Sequence, residues 1–173
     1  MIRILPQIFT RFNQKLDYFR RFSDQEFQVE GWFKGEMVCL LSDLQVAGLI
    51  NGFACEVKPT FWQNTPLQNQ KIDLSVSVGQ DQIYCELKSG CQRTRFLPLL
   101  ENWIQGNNGA VNKDFQKLQN VPTAPNRLKA VLVFMYPKPP LNSWYLVANV
   151  AGWNCLTNWG SYPDEFLIGL WQQ

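Results

Sequence analysis

Two carboxylates and an ammonium group lie close together in residues 71–90, KIDLSVSVGQDQIYCELKSG. Asp73 opens one run of alternating apolar and polar residues, and Glu86 and Lys88 close the next run. Mg²⁺ prefers oxygen ligands and is usually held by one or two carboxylates, with water and phosphate completing its shell. A lysine beside such a metal can orient the attacking water and offset charge that develops on a phosphate. These residue types therefore match metal-assisted hydrolysis of a phosphodiester.

The two alternating runs predict a β-hairpin that would bring these residues together. A turn centred on residues 80–81 would set Asp73 opposite Lys88 and diagonal to Glu86. A slip of one residue would set each apolar row against a polar one, so the hydrophobic pattern selects this alignment of the two strands. In this alignment all three residues share the polar face. Diagonal Cβ atoms lie about 7–8 Å apart, so the two carboxylates could tilt towards one cation. The alternative interpretation is an exposed cross-strand salt bridge between Asp73 and Lys88, which would contribute little stability.

The composition excludes several other kinds of catalytic site. The chain contains no histidine, which removes Ser-His-Asp and Cys-His nucleophile systems and zinc–histidine chemistry. Its five cysteines are an odd number without a CxxC pair, which argues against a disulfide framework and a tetrahedral zinc site. Catalysis in this chain must therefore use carboxylates, lysine or an oxygen-ligated metal.

Length and hydropathy predict one domain and no membrane contact. The 173 residues are 46% hydrophobic and 14% aromatic, enough for one buried core and too few for two ordinary domains. No apolar run approaches the roughly 20 residues that a membrane helix needs, and the N-terminus mixes charges into its apolar positions, unlike a signal peptide. We therefore expect a soluble, cytoplasmic protein. The net charge of +2 is too small to indicate a polyanionic partner by itself.

The rest of the chain predicts an α/β fold, a mixed central sheet flanked by helices. Residues 3–22 have the pattern of an amphipathic helix with a basic outer face, and residues 33–49 predict a second helix with Glu36 in its first turn. The other predicted elements are a strand in GFACEVKP, helices in LPLLENWI and AVNKDFQKL, strands in LKAVLVFMY and WYLVANV, and a final helix in SYPDEFLIGLW.

This order of elements and motifs resembles the PD-(D/E)XK nuclease superfamily, which has the restriction-endonuclease-like fold. That family has a helix with an acidic residue, a strand with Asp, a neighbouring strand with Glu-x-Lys, a helix and a further strand. The matching segments here are GEMVCLLSDL, KIDL, CELK, KDFQKLQ and LKAVLVFMY. The likeness covers residues 33–136, with the helix at 3–22 and a strand and helix at 144–171 as additions. Lys71-Ile72 stands before Asp73 where the motif's Pro would be expected.

The resemblance implies a Mg²⁺-dependent (or Mn²⁺-dependent) endonuclease acting on double-stranded DNA. It implies that Asp73 and Glu86 ligate the metal, that Lys88 positions or activates water, and that Glu36 completes or supports the acidic cluster. Because one small domain carries one site, cutting both strands suggests a homodimer. The same fold could instead serve as a non-cleaving nucleic-acid-binding or protein-interaction module, and an unrelated α/β domain could carry the same hairpin charges without a site.

Four basic residues are candidates for contacts with nucleic acid. Arg93 and Arg95 follow the Glu-x-Lys strand within reach of phosphates, and Lys113 and Lys117 lie on the helix that comes later. A solvated surface explains these residues equally well. Glu36 likewise has an alternative interpretation, as an acid that the dipole of its helix favours in the first turn.

Overall fold

A six-stranded mixed sheet forms the centre of the protein in a computed structural model, which describes residues 1–25, 29–91, 96–107, 109–163 and 165–173. Its strands are β1 Gly52–Val57, β2 Ile72–Val78, β3 Asp81–Cys91, β4 Arg127–Tyr136, β5 Asn154–Cys155 and β6 Leu167–Gln172. They lie in the order β1-β2-β3-β4-β6-β5. Strands β3 and β4 are parallel and the other neighbours are antiparallel. The predicted α/β class with a mixed sheet is confirmed.

Helices flank this sheet. They are α1 Leu5–Asn13, α2 Leu16–Asp24, α3 Glu30–Val46, α4 Phe96–Ile104, α5 Ala110–Gln119 and α6 Leu141–Ala148, with short 3-10 turns at Ile2–Ile4, Thr60–Trp62 and Trp159–Ser161. Helices α4 and α5 form the crossover between β3 and β4, as the parallel pairing of these strands requires. The continuous apolar run of β4 is almost entirely buried, as expected for a strand covered on both faces.

Aromatic side chains attach the N-terminal helices to one face of the sheet. The ring of Phe134 on β4 lies 4.0 Å from that of Phe19, 5.5 Å from that of Phe12 and 5.8 Å from that of Phe33, measured between centroids. These three rings belong to α2, α1 and α3, and all are fully buried. One side of the sheet is therefore closed by α1, α2 and α3.

The opposite face carries α5 and α6. Trp171 of β6 pairs with Val131 of β4, so its side chain points away from the Phe134 side. Its ring lies 5.7 Å from Phe115 of α5 and 5.5 Å from Trp144 of α6. Glu86 also pairs with Val131, in the parallel register of β3 and β4, and so faces α5. This register decides which helix can reach Glu86.

The hairpin is confirmed, but its predicted register is wrong by two residues. Its partners run from Val78 with Asp81 to Leu74 with Cys85, so the turn consists of residues 79–80 and not 80–81. Gly79 has φ +61 and stands first in this two-residue turn, the position where a type II′ turn requires glycine. The shift of two residues keeps every side chain on its predicted face.

Gly79→Ala is expected to lower the free energy of unfolding by about 1 kcal/mol, because a side chain at positive φ is strained. Urea denaturation measures this change. Gly52→Ala is the matched control: the added methyl group meets nothing within 4 Å and its backbone lies outside that positive-φ region. An equal loss in the two variants would contradict this account of the turn.

Three predictions for the terminal segments and one helix boundary are wrong. Residues 141–148 form helix α6 where a strand was expected, because Pro140 caps a turn that buries Trp144 and Val147 on one side. Residues 167–172 form strand β6 where a helix was expected, since their apolar run is buried beside β4. The basic N-terminal segment forms two helices, α1 and α2, with a break at residues 14–15. Helix α3 begins at Glu30, so Glu36 lies beyond its first turn.

Candidate functional site

The site lies where β2 and β3 part. After the last strand pair, Leu74 with Cys85, the Leu87 amide donates a 2.9 Å hydrogen bond to Asp73 Oδ2. In a continued antiparallel ladder the Leu87 amide would donate to a backbone carbonyl of β2, and the Asp73 carboxylate takes the place of that carbonyl. The Asp73 carboxylate is therefore fixed between the diverging strands, beside the segment that carries Glu86 and Lys88.

Glu86 is the most buried acid of the site. The hairpin register puts Asp73 next to Glu86, where Lys88 had been expected, although the paired ladder ends one step earlier, at Leu74 and Cys85. The negative charge of Asp73 disfavours a second charge on Glu86, which is only 1% exposed. Burial, and then the charge of Asp73, raise the pKa of Glu86 to about 8, although Lys117 offsets part of the effect.

Helix α5 contributes two further charged groups, Asp114 and Lys117. Lys117 Nζ lies 2.6 Å from Glu86 Oε1 and donates a 2.9 Å hydrogen bond to the carbonyl of Lys71. Asp114 is 7% exposed, and its Oδ2 is 3.7 Å from Lys88 Nζ. Burial raises the pKa of Asp114 to about 6, although the two nearby lysines lower it. The sequence offered a signal for this acid, because it falls on the apolar face of α5 between Val111 and Phe115.

Helix α3 reaches the site with Glu30 and Lys34, which were not predicted as site residues because the predicted helix began at residue 33. Lys34 Nζ donates a 2.8 Å hydrogen bond to Asp73 Oδ1 and lies 3.1 Å from Glu30 Oε1. Burial lowers the pKa of Lys34, but the hydrogen bond to Asp73 and the negative charges beside it outweigh burial and raise it. The spacing of four residues between Glu30 and Lys34 was the available signal.

Lys88 lies between helices α3 and α5. Its Nζ donates a 3.2 Å hydrogen bond to Glu30 Oε1 and forms the longer ion pair with Asp114. Burial lowers the pKa of Lys88, but the charges of Asp114 and Glu30 outweigh burial and raise it. Lys88 is therefore a protonated ammonium at neutral pH, which can donate hydrogen bonds and offset negative charge but cannot accept a proton.

Glu36 is not brought to this cluster. Arg11 Nε donates a 2.9 Å hydrogen bond to Glu36 Oε2, and Lys15 Nζ lies 3.7 Å from Glu36 Oε1. These contacts tie α3 to the N-terminal helical segment. The acidic residue that α3 supplies to the site is Glu30.

The four basic residues predicted to contact nucleic acid differ in their surroundings. Lys113 is exposed on α5, whereas Lys117 points inward to Glu86 and is part of the carboxylate site. Arg93 and Arg95 lie outside the described residues. Contact of any of these residues with nucleic acid stays a prediction.

The oxygen atoms of the site suit a hard cation. Asp114 Oδ2 is buried without a hydrogen-bond donor, and Glu86 Oε1 has only the Lys117 ammonium, at 2.6 Å and outside hydrogen-bond geometry. Within the described part of the chain, no group of three or more acidic, cysteine or histidine side chains is placed so that it could hold a metal ion. Mg²⁺ needs only one or two carboxylates besides water and phosphate. Asp73 and Glu86 are the two neighbouring carboxylates that would supply such a partial shell for Mg²⁺ or Mn²⁺.

Comparisons with known proteins identify no relative. No protein-family model matches the chain, and neither the curated proteins nor the solved structures contain a match. Among the residues that the structure describes, no helix combines the length and the apolar character needed to cross a membrane. Function has to be argued from the side chains of the site.

Proposed function

We propose that the protein is a Mg²⁺-dependent or Mn²⁺-dependent endonuclease that hydrolyses phosphodiester bonds in DNA. The observation that carries the proposal is the gathering of Asp73, Glu86 and Lys88 where β2 and β3 part, with Glu86 buried beside a second carboxylate. Burying a carboxylate next to a like charge costs stability. Such a cost is typical of a functional site.

The order of elements supports a restriction-endonuclease-like fold. Helix α3, strand β2 with Asp73, strand β3 with Glu86 and Lys88, the helices α4 and α5, and strand β4 occur in the order that the PD-(D/E)XK resemblance implies, with β1 inserted between α3 and β2. Strand β3 lies between β2 and β4, so the two motif strands are neighbours. The acid of the first helix is Glu30 in place of Glu36.

In this proposal Asp73 and Glu86 would hold the divalent cation through their carboxylate oxygens. When bound, the cation would supply Lewis acidity for hydrolysis of the phosphodiester. Lys88 donates hydrogen bonds to the attacking water and offsets charge on the phosphate. The Nζ atom of Lys88 lies 3.2 Å from Glu30 Oε1 and 3.7 Å from Asp114 Oδ2. These two carboxylates keep Lys88 protonated and oriented.

DNA would reach this site along α5. Lys113 is exposed on α5 beside the carboxylate site, and its contact would be with the phosphate backbone. Arg93 and Arg95 follow β3 in the sequence and would add further phosphate contacts. Cleavage of both strands would need two copies of the chain, as a homodimer, because each copy carries one site.

A second candidate function is a nucleic-acid-binding or protein-interaction module that does not cleave. One observation favours it: three of the carboxylates already have a lysine partner, in the pairs Lys34–Asp73, Lys117–Glu86 and Lys88–Glu30. A closed set of ion pairs of this kind could serve stability alone.

Incubation of the purified protein with supercoiled plasmid and Mg²⁺ or Mn²⁺ separates the two candidates. We expect nicked and linear products that disappear with a chelator, and strongly reduced cleavage in Asp73→Ala, Glu86→Ala and Lys88→Ala. Unchanged cleavage in all three variants would show that the site is assigned to the wrong residues. Plasmid binding without any metal-dependent cleavage would favour the non-cleaving module.

Glu36→Gln is expected to lower the free energy of unfolding by about 1 kcal/mol and to leave plasmid cleavage unchanged. The loss follows from the ion pairs with Arg11 and Lys15, which are only partly exposed to water. Urea denaturation and the cleavage assay measure the two quantities on one preparation. A large loss of cleavage in a folded Glu36→Gln protein would show that Glu36 takes part in cleavage after all.

A further inference from the structure

Each of the two proposed metal ligands already has a cation of the protein on one of its oxygens. Lys34 Nζ lies 2.8 Å from Asp73 Oδ1, and Lys117 Nζ lies 2.6 Å from Glu86 Oε1. The two lysines come from α3 and α5, which approach the site from the two sides of the sheet. Oxygens that would bind a divalent ion are thus neutralised without one.

Both ammonium groups are fixed by a second acceptor and still have access to water. Lys34 lies 3.1 Å from Glu30 Oε1, and Lys117 donates to the carbonyl of Lys71 at 2.9 Å. The side chain of Lys34 is 30% exposed and that of Lys117 is 18% exposed, whereas the Glu86 side chain is 2% exposed. Both lysine side chains are therefore more exposed to water than the Glu86 carboxylate.

We propose that Lys34 and Lys117 are internal counter-ions that a divalent cation must displace from Asp73 and Glu86, an inference that rests on the proposed metal-dependent function. Two positive charges cannot share one buried carboxylate oxygen at contact distance without strong repulsion. The displaced ammonium groups would remain near the metal. There they would pair with phosphate oxygens of the DNA backbone. Metal and DNA therefore bind with positive coupling, and each raises the affinity for the other by the same factor.

Calorimetric titration with Mg²⁺ at pH 8.5, above the pKa of about 8 of Glu86, tests this proposal on the ionised carboxylates. Lys117→Met and Lys34→Met are each expected to bind Mg²⁺ about tenfold more tightly than the wild type, within the range measured for pairs in direct contact. Lys117→Arg keeps the charge and is expected to leave the affinity near that of the wild type. Lys113→Met is the matched control, since Lys113 lies one turn away on α5 and is exposed.

The results separate this inference from the proposed function. Tighter binding in the two methionine variants, or binding detectable only in them, supports it, provided that circular dichroism shows the fold retained. The wild type could bind Mg²⁺ in a way that depends on Asp73 while folded Lys117→Met and Lys34→Met bind it no more tightly. That result would overturn this inference but not the proposed function. Equal tightening in Lys113→Met would also overturn it, because the effect would then be general electrostatics. Absence of Mg²⁺ binding in every variant would overturn the inference and the proposed function together.

Discussion

Asp73→Asn is expected to lower the rate of metal-dependent DNA cleavage about a thousandfold, a loss comparable with that of a group that stabilises the transition state. Asparagine keeps an oxygen that can accept the Leu87 amide, so the local fold is expected to survive. The variant loses the negative charge that a divalent cation requires. Plasmid cleavage under single-turnover conditions measures the rate, and calorimetry measures metal affinity on the same preparation.

Asp81→Asn is the matched control for Asp73→Asn. Asp81 belongs to the same hairpin, but it lies at the turn, with Arg3 at 3.9 Å as its ion-pair partner. The control is expected to cleave DNA at the wild-type rate. An Asp73→Asn protein that is folded and still cleaves at that rate would exclude Asp73 as a metal ligand.

Glu86→Gln is expected to stabilise the metal-free protein at pH 8.5 by ~2 kcal/mol, while DNA cleavage is lost. The reason is the cost of ionising Glu86 inside the fold, where burial and the charge of Asp73 hold its pKa at about 8. Glutamine has nearly the same shape and carries no charge. Lys117, which is left without its carboxylate, keeps the carbonyl of Lys71 as an acceptor.

The pH dependence of this effect has a definite sign. Below about pH 4.5, the ordinary pKa of a glutamate, Glu86 is protonated in the folded and in the unfolded chain, and no difference arises. As the pH rises from there to about 8, the unfolded chain releases a proton that the fold retains, so the wild type loses stability relative to Glu86→Gln. Above pH 8 the full difference is present. Asp114, with its pKa raised to about 6, shifts stability in the same direction at lower pH.

Urea denaturation of the wild type and Glu86→Gln at pH 5 and pH 8.5 measures this difference. Divalent metal is expected to reverse it, since a ligand that binds only the folded state stabilises that state, by about 2.7 kcal/mol at a concentration one hundred times its Kd. A Glu86→Gln protein that is less stable than the wild type at pH 8.5 without metal would show that the Glu86–Lys117 pair stabilises the fold. That result would favour the non-cleaving module.

Periodicity predicted most of the elements around the site. The alternating runs in residues 71–90 identified β2 and β3 and placed Asp73, Glu86 and Lys88 on one face. This prediction survives the error in register, because side chains alternate with a period of two and a shift of two residues leaves each on the same face. The register itself depends on the local turn. Gly79 adopts its positive φ at the first turn position, and the pattern of polar residues around it does not reveal this.

The contribution of the helices to the site was harder to predict. Glu30 and Lys34 lie in the first turns of α3, and helix ends are poorly defined by propensity alone. Asp114 was not among the predicted site residues, although its position between apolar residues of α5 indicated burial. The C-terminal segment was predicted as a helix because Pro163 and acidic residues precede an apolar pattern of period 3.6, whereas pairing with β4 makes it strand β6.

The most direct test of the central claim is a crystal structure of the protein soaked with Mn²⁺, with anomalous scattering used to locate the ion. The account predicts one strong peak within about 2.5 Å of carboxylate oxygens of both Asp73 and Glu86. It also predicts that Lys34 Nζ and Lys117 Nζ have moved from their present distances of 2.8 Å and 2.6 Å. Fully occupied Mn²⁺ elsewhere, with both lysines still on their carboxylates, would contradict the assignment of a metal-dependent nuclease site.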